Sequence, residues 1–373
     1  MADTWEFAVG PWQQLPTTEL ASLTGRTVTW RLAGNHEAAF TLDCALPEAA
    51  SIQELVSDLW VFRNGQPLYR GRVGAASDTA DGSAHTATFS TADYRAVLKR
   101  RLLFDADLFS FTSDQSYVAW QYILQTQGRS GGGLGITQGV GQVTGVSQTT
   151  AFLAGTSVGD VVDQISQGPT GFDWDINPVA GSTGLTFDVY YPQRGTDRQR
   201  VVDFPGRIAS FQRTVDPGQF ANALRVTGGT PAGASTALAP VVVTEAGIAT
   251  DPAGRFELQY GDTNIVTSAT LTSVAQQRLA LGQVVTPVWT VTLNADSWGG
   301  PGDIWLGDPV ILQVDSPPRF SRLQGSLRVF EIHLALDDAS DAATVSLTLG
   351  AIKADRRWQL RKFDSRLTAL ERR

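Results

Sequence analysis

The sequence holds a single cysteine, Cys44, and only three histidines, His36, His85 and His333. One thiol excludes an intramolecular disulfide framework and a zinc site made of several cysteines, so Cys44 reads as a small buried hydrophobe. His36 and His85 fall in polar turns or at strand ends, isolated from one another, and no histidine metal site is expected. No run approaches the ~18 consecutive apolar residues of a membrane span. MADTWEFAVG at the start has no basic stretch followed by an apolar core. A soluble chain made in the cytosol, with no membrane insertion, is therefore expected. Positive charge is also scarce: 29 Lys and Arg face 37 Asp and Glu, for a net charge of -8. That balance argues against a nucleic-acid-binding surface, which needs clustered cations to neutralise phosphates. The deficit is uneven. Between Lys353 and Arg373 there are eight basic and three acidic residues, a local +5, leaving 21 against 34, or -13, for the rest.

What is present is the composition of a globular, strand-rich protein. The 373 residues are 42% hydrophobic and 18% charged, and 37 Gly with 17 Pro imply many turns between short strands. At roughly 100 to 200 residues per domain, two or three domains are expected. The clearest local signal lies at 58–103. Asp58 to Arg63 is an apolar strand, Asn64-Gly65 accepts the positive φ of a tight hairpin, and Leu68 to Val73 is the return strand. A polar turn over Asp78 to Ser83 then leads into Ala84 to Ser90, with Ala87 and Phe89 on one face. A basic helix, Tyr94 to Leu103, follows. Its charges, with those of the hairpin, are expected on strand and helix surfaces.

Upstream, Trp5 to Val9, Arg26 to Ala33 and Glu37 to Leu42 complete a first β domain over 1–103. Residues 104–205 read as a small α+β insertion. Tyr117, Trp120 and Leu124 line one face of a helix over Ser116 to Gln127, and a glycine-rich exposed loop occupies 129–156. Ser157 caps a second helix, and strands follow at Phe172 to Ile176 and Leu185 to Tyr191. Residues 206–350 return to strands: Ala223 to Thr227, Arg255 to Tyr260, Val288 to Leu293, Pro309 to Val314, Leu327 to Leu336 and Ala343 to Leu349, with a helix at Leu271 to Leu281. Part of this answers to the first domain. Tyr69-Arg-Gly-Arg-Val73, a turn and a Thr-alternating strand match Gln324 to Val329, the turn Asp337 to Asp341 and Thr344 to Leu349. Residues 351–373 read as a basic helix with Leu360, Phe363, Leu367 and Leu370 as a short apolar seam.

Catalytic motifs do not assemble. Gly155-Thr-Ser157-Val-Gly159 fits the nucleophile elbow of serine esterases, but the preceding strand is weak, and the only downstream histidine, His333, alternates with a core face. Asp173-Trp-Asp175-Ile-Asn177 opens like a calcium loop, yet Pro178 and Gly184 stand where glycine and glutamate are needed. No catalytic, cofactor or metal residue is assigned. Trp298, in Ser297-Trp-Gly-Gly-Pro-Gly, reads as accessible and, with Trp174, offers a platform for carbohydrate. A serine esterase or a carbohydrate-binding protein acting on the host envelope is thus the alternative reading.

The order and spacing of VFRNGQPLYRGRV at 61–73, ADYRAVLKRRL at 92–102, SVGDVV at 157–162 and RVFEIHLAL at 328–336 resemble the baseplate hub or tail-tip minor tail proteins of tailed phages. The likeness is to those of long-tailed actinobacterial phages in particular, and the family is related to type VI secretion spike hubs. It implies two similar β-barrels separated by an α/β insertion, three chains forming a pseudo-sixfold ring, and a role as a structural virion protein. The implied partners are a distal tail protein ring, the tape-measure protein, and tip or fibre proteins at the C-terminal helix, with DNA only in transit through the bore. Many relatives carry a peptidase, lysozyme or long fibre region where this sequence reads as the basic helix after Gly350, so wall-degrading or receptor-binding work is expected to fall to other proteins attached there. Within that reading Arg70, Arg72, Arg95, Lys99, Arg100, Arg101, Leu360, Phe363, Leu367 and Leu370 are the assembly candidates.

Overall fold

A computed structural model describes residues 3–351 except 83, 105–111, 140–142, 150–153, 167–170, 216–219, 232, 263–264, 284–286 and 296. The seam Leu360, Phe363, Leu367 and Leu370 lies outside the described residues. The fold is mainly β. The chain divides into two compact units, Met1–Phe211 with the residues from Thr290 onward, and Gln212–Trp289.

The larger unit is organised by one strand order used twice. An N-terminal set comprises, in sequence, Trp5–Pro11, Leu23–Arg31, Glu37–Asp43, Ser57–Arg63, Gln66–Ala80 and His85–Asp93. A C-terminal set comprises Arg200–Phe204, Ile208–Thr214, Val288–Leu293, Pro309–Ser316, Phe320–Leu336 and Ala343–Ala351. Within each set the strands lie in the order second, third, sixth, fifth, fourth, first. The sets differ at the first strand, which pairs antiparallel with the fourth in the N-terminal set and parallel in the C-terminal one. They join where Phe320–Leu336 pairs with Leu23–Arg31, setting Ile332 opposite Trp30 and Leu334 opposite Val28. Alternation drives this: Val28, Trp30, Ala38, Phe40, Leu42, Ile332 and Leu334 are all buried while their polar neighbours face outward.

The repeat extends to irregularities. Both long fifth strands carry a register shift directly after an Arg-Val pair, between Val73 and Ala75 and between Val329 and Glu331. The Asn64-Gly65 turn forms as expected, with φ of 51° and 74°, and Asn64 Oδ1 accepts the Thr4 N–H at 2.9 Å. Some boundaries differ from the sequence reading. Gln66–Ala80 runs seven residues past Val73, because Gly74 to Ala80 lacks the apolar alternation that marks a strand and is held by pairing with His85–Asp93. The helix after it spans only Tyr94–Lys99, started by Asp93, whose side chain accepts the Ala96 N–H at 3.2 Å.

Between the sets lies the insertion, with helices Gln115–Gln127 and Val158–Ser166 and a sheet ordered Asp173–Pro178, Leu185–Tyr190, Ile136–Gln138. Its core includes Leu98, Val118, Tyr122, Ile123, Val161, Val162, Ile165, Trp174 and Phe187. Helix Gln115–Gln127 presents Val118, Ala119, Trp120, Tyr122 and Ile123 to this core and leaves Tyr117 and Leu124 exposed, so of the expected apolar face Trp120 is buried and the other two are not. The glycine-rich segment is not all loop: Ile136–Gln138 and Ser147–Thr149 are short strands, and Leu134 and Ile136 are buried. The second unit occupies, in chain order, the place between the second and third strands that Gly34-Asn35 fills in the N-terminal set. It packs helix Ser268–Gly282 on strands Ala223–Gly228, Val241–Thr244 and Glu257–Asp262 around Leu224, Val226, Leu271 and Ala275.

Candidate functional site: a buried charge network and an exposed basic rim

Charged side chains that the sequence places on strand surfaces are in large part inside. Asp58, fully buried, accepts from Arg70 Nε at 2.9 Å, Arg70 Nη2 at 2.8 Å and the Tyr94 hydroxyl at 2.6 Å on one oxygen. Arg70 also donates to the Thr183 carbonyl at 2.6 Å in the insertion, and its guanidinium lies 4.4 Å from the Trp60 ring centroid. Burial and then the adjacent Asp58 charge push the Tyr94 phenol well above its ordinary value, keeping it a donor. Arg95 is equally enclosed, bonding the Trp174 carbonyl at 3.1 Å and lying 4.0 Å from the Trp174 ring centroid. Trp174 Nε1 in turn donates to Asp163 at 3.1 Å.

A second cluster is centred on Asp173 and Asp175. Asp175 Oδ2 accepts from His36 Nε2 at 3.0 Å and from Arg194 Nη1. Asp173 Oδ2 accepts the Arg194 N–H at 2.7 Å and Arg328 Nη2 at 2.5 Å, and Arg328 Nε donates to the Gly307 carbonyl at 3.0 Å. Burial alone would raise the Asp175 carboxyl, but its interactions with His36 and Arg194 overcome it and hold the group well below the usual carboxylate range. Asp93, beside them, goes the other way: burial raises it, and its Oδ2 has no hydrogen-bond partner. His36 Nδ1 accepts the Arg31 N–H at 3.1 Å, so Nε2 is the donor toward Asp175. With a guanidinium on the same carboxylate, the His36, Asp93 and Asp175 group is an ion-pair network and not a metal centre.

These contacts correct two expectations. Arg70 and Arg95 are spoken for inside the chain and are not presented to a neighbour. His36 is not isolated in a polar turn. Asp173 and Asp175 do not form a calcium loop; their strand is buried on both faces and each takes an arginine. Arg194 and Arg328 were not singled out by sequence, yet Asp-x-Asp within the apolar run Phe172 to Ile176 signals buried carboxylates that need cationic partners.

The alternative sites also resolve. Trp298 is buried, 6% exposed, and donates from Nε1 to the Ile304 carbonyl at 3.0 Å. It stacks between Trp5 and Trp305 at centroid distances of 6.3 and 6.2 Å, with the Arg63 guanidinium 5.1 Å from its centroid. It therefore closes the aromatic core and offers no ring face to a sugar, and Trp174 is likewise buried. Ser157 Oγ donates to Asp160 Oδ2 at 2.6 Å and accepts the Asp160 N–H at 3.1 Å, the bonding of a helix cap. The open groove beside it is lined by Leu102, Thr156, Ser157, Asp160 and Asp163, with no histidine among its lining residues to complete a triad. His333 is held in the sheet junction against Thr29 Oγ1 at 2.9 Å.

No family model matches the chain, and no curated protein matches it in sequence. Solved structures do match. The 43 kDa tail protein of prophage MuSo2 from Shewanella oneidensis is 14% identical, with a TM-score of 0.63 over 94% of this chain and 99% of that one. A tail protein from Neisseria meningitidis is 12% identical, with a TM-score of 0.61 over 93% and 96%. Prophage tail protein gp18 from Listeria monocytogenes is 13% identical, with a TM-score of 0.54 over 92% and 94%.

The chain has the fold of phage tail proteins.

On this tail-protein fold Lys99, Arg100 and Arg101 keep accessible charge, whereas the Arg72 guanidinium is largely enclosed, with Nε and Nη2 buried. Arg100 is exposed, Lys99 and Arg101 are half-buried, and Arg72 lies 4.4 Å from the Trp12 ring centroid and 3.7 Å from Asp58. Burial, and then Arg72 and Arg129, lower the Arg101 guanidinium, which identifies a cluster of like charges. Exposed Leu102 and Phe104 adjoin it, at 44% and 57% exposure. This tail-fold rim combines positive charge with apolar surface, the composition of a protein-contact region.

Proposed function

We propose that the chain is a structural subunit of a phage-type tail, a hub at the tail tip that works as a homotrimer. The observation that supports this reading is the strand order repeated in one polypeptide. Three chains supply six like sets, so a threefold assembly can meet a sixfold tail ring on one face and a threefold tip on the other. In this reading residues 1–103 and 206–350 carry the two barrel domains, 104–205 the insertion that braces them, and 351–373 a basic helix that docks tip or fibre proteins. The second compact unit, Gln212–Trp289, is then an elaboration of the C-terminal barrel. The basic rim around Lys99, Arg100 and Arg101, with Arg72, meets an acidic neighbour.

The acidic balance outside the C-terminal segment suits a bore through which tape-measure protein and then DNA pass, since negative walls do not retain phosphate. Nothing in this role requires chemistry, and the chain acts as a non-enzymatic virion protein. Mass measurement by light scattering, with negative-stain imaging of the full chain, tests the proposal. Threefold rings or a trimer mass are expected; a monomer mass at every concentration and salt, with no rings, refutes it.

A further inference from the structure

The one cysteine does not sit in the core. Cys44 continues the strand Glu37–Asp43 by one residue, and its N–H donates to the His85 carbonyl at 2.8 Å. His85 opens the adjacent strand and pairs with Ala80, while Asp78 lies two residues before Ala80 on the strand Gln66–Ala80. Because side chains alternate with a period of two, Asp78 and Ala80 share a face, His85 shares it by pairing, and Cys44 shares it across the next strand. It is the face whose inner part buries Leu42, Ala87 and Phe89. At its outer rim the apolar pattern gives way to one thiol, one imidazole and one carboxylate, drawn from three neighbouring strands.

The ligand atoms converge. His85 Nε2 lies 3.3 Å from Asp78 Oδ1, Cys44 Sγ lies 3.9 Å from the same oxygen, and all three lie within 4.8 Å of one another. Tetrahedral zinc, with bonds of about 2.0 to 2.3 Å to N, O and S, separates its ligand atoms by roughly 3.3 to 3.5 Å. One contact already has that spacing and a second is a few tenths of an ångström wide. Asp78 and His85 are exposed and Cys44 is partly so, leaving an open path for an ion and a fourth position for water.

We propose that Cys44, Asp78 and His85 form a surface Zn²⁺ site that clips together the outer ends of three strands of the N-terminal set. The mixed sulfur, nitrogen and oxygen donors favour zinc over calcium or magnesium, which take oxygen ligands only. Binding releases the thiol proton, and the carboxylate and thiolate together neutralise the ion.

Co²⁺ added to the reduced full-length chain is the direct probe, because every thiolate signal must come from Cys44. One equivalent should give a thiolate-to-metal charge-transfer band with the visible absorption of tetrahedral cobalt, both displaced by Zn²⁺. Cys44→Ser should abolish the band, and His85→Ala or Asp78→Asn should each weaken Zn²⁺ affinity by at least ~10-fold. Zn²⁺ should also protect Cys44 of the unaltered chain from alkylation, a readout that needs no variant to fold. Absence of the band and of protection in the unaltered chain overturns the assignment. So does a band that survives Cys44→Ser, or Zn²⁺ affinity unchanged in both His85→Ala and Asp78→Asn.

Discussion

Replacing Asp175 with asparagine isolates the energetic role of the buried network. The substitution conserves volume, so no cavity forms, yet it removes a charge that is wholly shielded from water and that the Arg194 guanidinium and the His36 Nε2–H address through one oxygen. The amide presents one acceptor and one donor. If its oxygen faces Arg194 and His36, its NH₂ meets the Ile176 N–H that Oδ1 now accepts at 2.9 Å; if flipped, it opposes the guanidinium. Either orientation leaves a buried donor unpaired, and Arg194, 7% exposed, loses its charge partner. Breaking a buried pair from one side costs about 3 to 5 kcal/mol. Urea unfolding followed by tryptophan fluorescence, with amide exchange across Asp173–Pro178, should show that loss locally and globally. Combining Asp175→Asn with Arg194→Met should cost less than the sum of the single variants by about 1 to 3 kcal/mol, since each already strands the other. The pH dependence has a fixed sign. A carboxyl held below its ordinary 3.8 stabilises the fold fully above that value, and the contribution fades as pH falls further. The advantage of the native chain over Asp175→Asn should thus be flat from neutrality down to about pH 5 and shrink below about pH 4. A single-variant loss under ~1 kcal/mol, or strict additivity with Arg194→Met, refutes the reasoning.

Other substitutions separate structural from assembly roles. Asp93 carries a raised carboxyl with one orphan oxygen, so Asp93→Asn, which keeps the helix cap, should stabilise the chain at neutral pH; the gain should vanish in acid, where the native carboxyl is protonated, and thermal melts at two pH values check it. Gly300 has φ of 81°, and a Cβ there would lie 1.4 Å from Arg63 Nη1, so Gly300→Ala should lower the melting temperature by loosening Arg63 from Trp298, visible as altered tryptophan fluorescence. Trp298→Ala should cost about 3 to 5 kcal/mol of stability, read from urea midpoints, through the lost aromatic packing. Arg70→Glu, inside on Asp58, should prevent folding as judged by soluble yield, whereas Arg100→Glu with Arg101→Glu should leave the melt unchanged and reduce the solution mass; an unchanged mass counts against the rim as a contact.

Local patterns were legible wherever one face of a strand or helix is buried and the other is wet. Val28, Trp30 and Leu32 alternating with threonines and arginines, the Asn64-Gly65 turn, the Ser157 cap and the matching Arg-Val segments before Asp-rich turns all follow from periods and turn chemistry that short stretches of sequence carry. Those stretches also led to the expectation of a strand-rich chain with an inserted α+β segment. What they could not carry is the partner of a charge. An arginine on an alternating strand looks solvated, and only the insertion, packed against the hairpin through the Thr183 carbonyl and Trp174, makes Arg70 and Arg95 interior. His36 and Asp175, 139 positions apart, and Asp173 and Arg328, 155 apart, become neighbours where the insertion strand Asp173–Pro178 packs on the two sets. The same holds for Cys44, Asp78 and His85. Sequence reads Cys44 as a buried hydrophobe, His85 as isolated and Asp78 as part of a turn, and the register of three adjacent strands puts them on one face. Sequence by itself determined those strands whose two faces differ in burial, and that a pattern recurs. Tertiary structure decided which charges are buried and which lone ligands meet, because pairing over long sequence separations is fixed by the whole sheet and not by any residue's neighbours.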